Sequence, residues 1–495
     1  MSAHGPLLAG TELSAGRPAR RGPARAVPDP GPRFLHAAGR GLGRLIGTLL
    51  SFEALFALFL YSNNIKPFLP RLPFDETVAL MAASAPLAVW ILWRKGLRRE
   101  GVVVVAAGLL FFGWLATTML WSPGRTLALR AVAFNLTFNL YCLIVGALVL
   151  AGDRSRIRRF LFFLVVIGLI LAGNGLWIYV EHGTFRYYRP FMFTRYYLTW
   201  TYPVVSASAV ALVLALTAPA GSARQLLGLA LALVFGAFLL VGGARGPLLG
   251  LAVCLVVPLV VVAPRAERGA LLVPKIQILA FLLVTGAGAY VAYLLATGQM
   301  TATLSRFLSL LSYLQYQGTA LRHERLSYWS NALTFWSQAP LLGNGIGSFS
   351  SLYVPGGGEV AGTHPHNILL EILAETGLVG LALFTLLLLA AAQGARPARL
   401  REDPLYLCAW MLFASLLLIR AMLSDDLAYQ WELFLAIGLL SLSPPAGDDA
   451  AGRRPSGAGI GQRGLGRPEA PIEPPGSGLL SRAARERARA AGRSC

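Results

Sequence analysis

Gly362-Thr-His-Pro-His-Asn-Ile-Leu-Leu-Glu-Ile-Leu-Ala-Glu-Thr-Gly-Leu-Val-Gly380 joins the longest polar loop of the chain to the start of an apolar helix. Two of the six histidines, His364 and His366, stand here with one residue between them. With Asn367 onward helical, His366, Leu370, Leu373, Gly377 and Gly380 share one side at about 100° per residue. The glycines let that side pack close on a neighbour, with His366 at the wet mouth of a bundle. The apolar run continues to position 392, enough to cross a hydrocarbon core of about 30 Å.

Similar runs recur along the chain. Hydrophobic residues make up 56%, charged residues 13%, and the mean hydropathy is +0.60. A soluble protein carries about a quarter charged residues, so the composition gives an all-α, polytopic membrane protein. Expected spans are 45–62, 76–93, 102–120, 127–151, 160–180, 196–217, 225–243, 247–263, 276–297, 366–392, 404–422 and 428–444. Basic residues cluster in alternate short loops, at Arg94–Arg99, Arg154–Arg159, Arg224, Arg265–Lys275 and Arg396–Arg401. By the positive-inside rule those loops and both termini are cytoplasmic, and about twelve spans fit. The expected organisation is a disordered basic tail over 1–43 and spans over 44–297. A large outside loop over 298–365, between helices 9 and 10, leads to spans over 366–445 and a second basic tail over 446–495.

The net charge of +20 lies largely in the tails and inner loops, where orientation and anionic lipid account for it. The tails have no interleaved aromatics and no recognisable module, so nucleic-acid binding is not expected. Cys142, Cys254 and Cys408 lie in spans and Cys495 ends the chain, which leaves no disulfide framework.

Polar residues in a membrane chain are expensive and point to function or packing. Glu53, within the first run, reads as a neutral hydrogen-bonded carboxyl. Asn135 and Asn139, four apart after Arg130, read as helix-packing contacts. The outside loop Glu181–Arg195 sets Arg186, Arg189 and Arg195 among aromatics, where positive charge is disfavoured. Arg245 sits in Val241-Gly-Gly-Ala-Arg-Gly-Pro247, glycine-flanked as a phosphate pocket requires. Arginine's fixed fork of donors suits phosphate. The loop over 298–365 far exceeds ordinary connections, so it is functional or disordered. It has apolar residues at helical spacing over Arg325–Trp336, a stop at Pro340, and a flexible lid at Pro355-Gly-Gly-Gly358.

Arg325-x-x-x-Trp329, then Pro340-Leu-Leu-Gly-Asn-Gly-Ile-Gly-Ser-Phe349, then His366-Asn367 with Gly377-Leu-Val-Gly380 nine residues on, resemble the O-antigen ligase and polymerase family of membrane glycosyltransferases. The resemblance covers roughly 185–380. It implies a GT-C-like helical fold in the bacterial inner membrane. It also implies inverting transfer of a glycan from an undecaprenyl diphosphate carrier to an acceptor hydroxyl on the periplasmic side. His366 would be the base. Arg245 and Arg325, with one of Arg186, Arg189 or Arg195, would hold the diphosphate, and His364, Asn367, Gly377 and Gly380 would support them. The acceptor is a glycan or lipid A–core, which distinguishes a ligase from a polymerase, and a protein-glycosylating relative shares the chemistry. A transporter or flippase is the non-enzymatic alternative, but it calls for inverted repeats around a mid-membrane site.

No cofactor is expected, and no metal. His364 and His366 are too sparse alone, Glu371 would lie about 140° away from His366 on a helix, and no Asp-x-Asp pair stands in an outside loop. Asp425-Asp426 reads as a topology marker.

Overall fold

The computed structural model describes residues 47–66, 72–182, 198–242, 245–262, 286 and 324–444. Among these the regular structure is entirely helical. The helices are α1 (Phe52–Leu60), α2 (Glu76–Lys95), α3 (Arg99–Thr118, continued by a 3₁₀ turn to Trp121), α4 (Arg125–Leu150) and α5 (Arg154–His182). They continue with α6 (Leu198–Thr217), α7 (Ala223–Gly242), α8 (Arg245–Val262), α9 (Glu324–Gln338) and α10 (Ser348–Tyr353). The last four are α11 (Ile368–Ala392), α12 (Pro397–Glu402), α13 (Pro404–Ala421) and α14 (Trp431–Leu439). Among the described residues eight helices are long and apolar enough to cross a membrane: α2 to α7, α11 and α13. The expected span 276–297, both tails, the loop before Glu324, and Arg186, Arg189 and Arg195 lie outside the described residues.

Two expected spans are shorter than drawn, whereas α8 (Arg245–Val262) covers nearly all of the expected 247–263. The run 45–62 is broken at Ser51, which caps the nine-residue α1 by accepting from Ala54 N, and again at Tyr61, before a single helical turn over Ser62–Ile65. The run 428–444 likewise yields the nine-residue α14, all of it buried. Nine residues rise only about 14 Å, half a bilayer core. For α14 the reason is visible. The loop before it reaches just past the midpoint of α4, where the Leu427 carbonyl accepts from Asn139 Nδ2 at 2.8 Å. From there α14 packs along the rest of α4, and glycines set the closeness: a Cβ on Gly438 would come 2.6 Å from Ala147 N.

The bundle has two unlike ends. One is tied by basic side chains. Arg154 holds Asp403 by two hydrogen bonds of 2.5 and 2.7 Å, and Lys95 pairs with Asp153. Glu53, expected neutral, is ion-paired here with Arg156 (2.7 Å) and Arg159 (3.0 Å). The reason is that α1 is short, so its first turn lies at the level of α5's arginines rather than in mid-membrane. The opposite end carries α9, α10 and the His364–His366 strap.

Candidate functional site

The site is built from the start of α11. Asn367 is its N-cap, with Oδ1 accepting from Leu369 N and Leu370 N at 3.1 Å each. A capping residue leaves the helix, so His366 belongs to the strap and not to the helix. His366 has φ 54°, the one positive φ at a non-glycine residue among those described. Such a conformation costs roughly 1–3 kcal/mol and persists only where the surroundings impose it. The surroundings here are explicit. Trp329 Nε1 on α9 donates to Pro365 O at 3.0 Å, the Tyr328 ring lies 5.8 Å from the imidazole, and His366 Nδ1 meets Ser424 O at 2.6 Å.

A carbonyl can only accept, so His366 Nδ1 carries the hydrogen and the neutral ring keeps its lone pair on Nε2. His364 meets the same carbonyl through Nε2 at 3.2 Å, and the two ring centroids are 4.0 Å apart. Burial first, and then His364, holds His366 below the ordinary imidazole value; the positive charge of Arg325 adds to this. Burial lowers His364 also, partly offset by Ser424 and Asp425. Both rings are therefore neutral at neutral pH.

Two of the expected arginines, Arg325 and Arg245, fall among the described residues. Arg325 opens α9 and is exposed, with its charge acting on both His366 and the hydroxyl of Tyr202. Arg245, also exposed, opens α8, and the next backbone position approaches Tyr202 so closely that a Cβ on Gly246 would lie 2.8 Å from its hydroxyl. The Tyr202 ring lies 5.3 Å from Arg420, which pairs with Asp425 (2.8 Å) and Glu432 (2.5 Å). The strap, the start of α8, the start of α9 and the Ser424–Asp425 loop thus converge.

Two glycine motifs lock the scaffold together. Gly377 was expected as a small residue on a packing face; it is a break in α11, at φ 68° and ψ −168°. The break frees Leu378 N and Val379 N to donate to the carbonyls of Pro340 (2.9 Å) and Leu341 (3.2 Å). In return Gly345 N and Asn344 N donate to Glu375 O (2.7 Å) and Ala374 O (3.1 Å). A Cβ on Gly377 would overlap Leu341 O, and one on Gly343 would overlap Glu375 backbone. Gly380 leaves room for the Thr376 hydroxyl and the Trp114 ring. α3, which lies outside the resembling stretch 185–380, closes this joint. Trp114 Nε1 donates to Thr376 O and Trp121 Nε1 to Gly343 O, each at 3.0 Å.

Beside His364 a cavity of about 340 Å³ runs between α4, the 346–363 segment, α11 and the 425–429 loop. Glu371 lines it, from the first turn of α11. Glu371 accepts from Leu427 N through both oxygens at 3.1 Å, and Glu375 accepts from Gly347 N (2.8 Å) and Phe349 N (3.1 Å). Arg130 bonds the Tyr429 hydroxyl on its wall. Asp425 and Asp426, read as topology markers, belong to this site: Asp425 pairs with Arg420, and Asp426 accepts from Tyr429 N at 3.1 Å. Two glutamates four apart in an apolar helix were a signal of a polar interior. Ser424 gave none, because it acts through its backbone. Among the described residues no group of three His, Cys, Asp or Glu is placed to hold a metal ion.

Three of the pieces that converge, the strap and the starts of α8 and α9, lie within one family match. Residues 229–385 match the O-antigen ligase family model, Wzy_C. The ligase-family match runs from α7 through the Gly377 break and contains Arg245, Arg325, His364 and His366. It implies a membrane enzyme that transfers glycans from lipid-linked substrates. Arg130, Ser424, Asp425 and Asp426 fall outside it. No curated protein matches the chain.

Proposed function

We propose that the protein is an inverting glycosyltransferase that moves a glycan from undecaprenyl diphosphate to an acceptor hydroxyl on the periplasmic face of the bacterial inner membrane. The observation that carries this reading is the His366 bond to Ser424 O, which leaves Nε2 as an oriented proton acceptor inside the ligase-family match. The acceptor oxygen attacks the anomeric carbon from the face opposite the diphosphate. As the new C–O bond forms, its proton passes to His366 Nε2. The old anomeric C–O bond breaks, and its electron pair leaves on the carrier diphosphate. General base catalysis of this kind contributes about 10² to 10⁴ in rate. The charge growing on the leaving group meets Arg325 and Arg245, whose exposed guanidinia open α9 and α8 beside the imidazole pair.

Charge neutralisation by arginine makes a divalent metal unnecessary, and it makes guanidinium geometry matter. Arg245→Lys and Arg325→Lys keep the charge and lose the bidentate fork. Each should lower transfer by about tenfold or more, while EDTA leaves the wild-type rate unchanged. The assay uses purified carrier-linked glycan with lipid A–core, a second carrier-linked glycan and a protein as acceptors, which also distinguishes ligase, polymerase and protein-glycosylating enzyme. Activity that vanishes on chelation and returns with magnesium or manganese would contradict the arginine mechanism.

A further inference from the structure

The joint between α11 and the Pro340–Phe349 loop lies well below the strap, and its depth can be read along two helices that start from the basic end. On α3, Trp114 stands about 15 residues beyond Arg99, a rise of about 22 Å, and its Nε1 donates to Thr376 O. On α11, the break at Gly377 is again about 15 residues, or about 22 Å, from Ala392, the last helical residue before the basic segment. The two readings agree. A hydrocarbon core is about 30 Å thick, so the joint sits about 8 Å inside it on the histidine side, and helix tilt only deepens it. Leu378 N and Val379 N hold the carbonyls of Pro340 and Leu341, so the tip of the loop, Leu341-Leu342, lies at that depth.

The backbone of the tip is arranged as such a depth requires. In hydrocarbon, irregular backbone persists only where protein supplies the partners that water would otherwise give. Pro340 O accepts from Leu378 N (2.9 Å) and from Trp336 Nε1 (3.1 Å). Leu341 O accepts from Val379 N (3.2 Å), and Gly343 O from Trp121 Nε1 (3.0 Å). The side chains face the other way. Leu341 is 62% exposed and Leu342 51%, and they line an open apolar notch of about 370 Å³ with Trp121, Ala339, Pro340 and Gly343. The notch continues the lipid-facing surface of the spanning helices. Leu120, beside Trp121, ends an exposed apolar stripe on α3 that includes Leu109 and Leu110. Leu378, bonded to Pro340, begins the corresponding stripe on α11, with Leu386 and Leu389.

We infer that the Pro340–Gly343 loop is a membrane-inserted wedge, with Leu341 and Leu342 seated among the acyl chains of the leaflet on the histidine side. The inference is independent of the chemistry proposed above, and it gives a lipid partner to part of a segment that the sequence places outside the membrane. Trp121 and Trp114 add the aromatic anchors found near a bilayer boundary. The wedge is rigidly tied to α11, since Asn344 N and Gly345 N also bond Ala374 O and Glu375 O. About ten residues of α11 separate the break from its N-cap, so lipid contact at the wedge sets the strap about 15 Å nearer to the water.

Nitroxide accessibility tests this on the full chain. Cys495→Ser leaves three native cysteines, all of them buried. Into that background go Leu342→Cys and Leu341→Cys as two reporters of the tip. Leu110→Cys, on the exposed face of α3, is the mid-core reference, and Gly357→Cys is the aqueous one. Each is labelled with a thiol-specific nitroxide and reconstituted in nanodiscs of phosphatidylcholine and phosphatidylglycerol, without carrier lipid. Unchanged unfolding temperatures confirm that the labelled proteins are folded. Depth is read from collisions with oxygen, which partitions into acyl chains, against a water-soluble nickel chelate. Both tip labels should favour oxygen, at about 8–10 Å inside the hydrocarbon boundary and between the two references. Adding undecaprenyl phosphate should leave these values unchanged. Nickel accessibility equal to that at Gly357 places the loop in water and overturns the inference. Protection from both agents means that protein covers the leucines, and oxygen collisions lost only with undecaprenyl phosphate mean that the notch takes a carrier tail. Either result also overturns the inference, and none of them bears on the transfer reading.

Discussion

At the scale of single residues, His366 stands where backbone strain, a fixed tautomer and a lowered basicity coincide. The strained φ aims the ring at Ser424 O, and that bond selects the nitrogen that stays free to accept a proton. A base works when deprotonated. Burial, His364 and Arg325 all disfavour the protonated ring, so the acidic limb of kcat/KM should lie below about 6.5. Activity should therefore hold at that pH and fall only as pH drops through the lowered value. His364→Asn removes the neighbouring imidazole and should move the limb upward. The check is the pH profile of both proteins; a wild-type limb at or above the ordinary histidine value contradicts the geometry. The sequence singled out His366 and Arg325 by their place in spaced patterns and Arg245 by its flanking glycines. Ser424 was not, since any residue supplies a carbonyl. Arg130 was passed over because its partners, Tyr429 and the 425–429 loop, come about 300 positions later.

At the scale of elements, the joint between the Pro340–Phe349 loop and the break in α11 decides whether the strap is held. The sequence showed that glycines recur at fixed places in both segments. It suggested close packing as the reason. The structure gives a stricter one: Gly377 adopts a conformation open to few other residues, and two N–H groups leave the helix ladder to bind the loop. That partnership joins segments more than thirty positions apart, so no local pattern could reveal it. Gly377→Ala should cost on the order of 3 kcal/mol, because strain at positive φ adds to overlap with Leu341 O. The expected result is a lower unfolding temperature in detergent, together with loss of transfer. A variant with wild-type stability would mean that the break is not required.

At the scale of the whole molecule, the class and most of the helices were legible because apolar length alone marks a crossing. The exceptions were runs that polar breaks cut short, and a run's composition does not show where its neighbours leave room. The short α14 is such a case, since the loop before it takes up about half of the path along α4. The alternation of basic loops carries the expectation that the strap lies outside and both termini inside. Single cysteines at Gly357 and Gly461 should therefore react with an impermeant thiol reagent from outside and from inside respectively, once the native cysteines are replaced. Reversed labelling, or labelling of both from one side, would overturn the topology and the periplasmic reaction with it.

The central claim is that His366 takes the proton during glycan transfer. Its most direct test is transfer from purified undecaprenyl diphosphate-linked glycan, with wild type and His366→Ala reconstituted side by side at equal, verified membrane insertion. The account predicts robust transfer by the wild type and a loss of at least about 10²-fold in the variant. Transfer by His366→Ala at near the wild-type rate would contradict it.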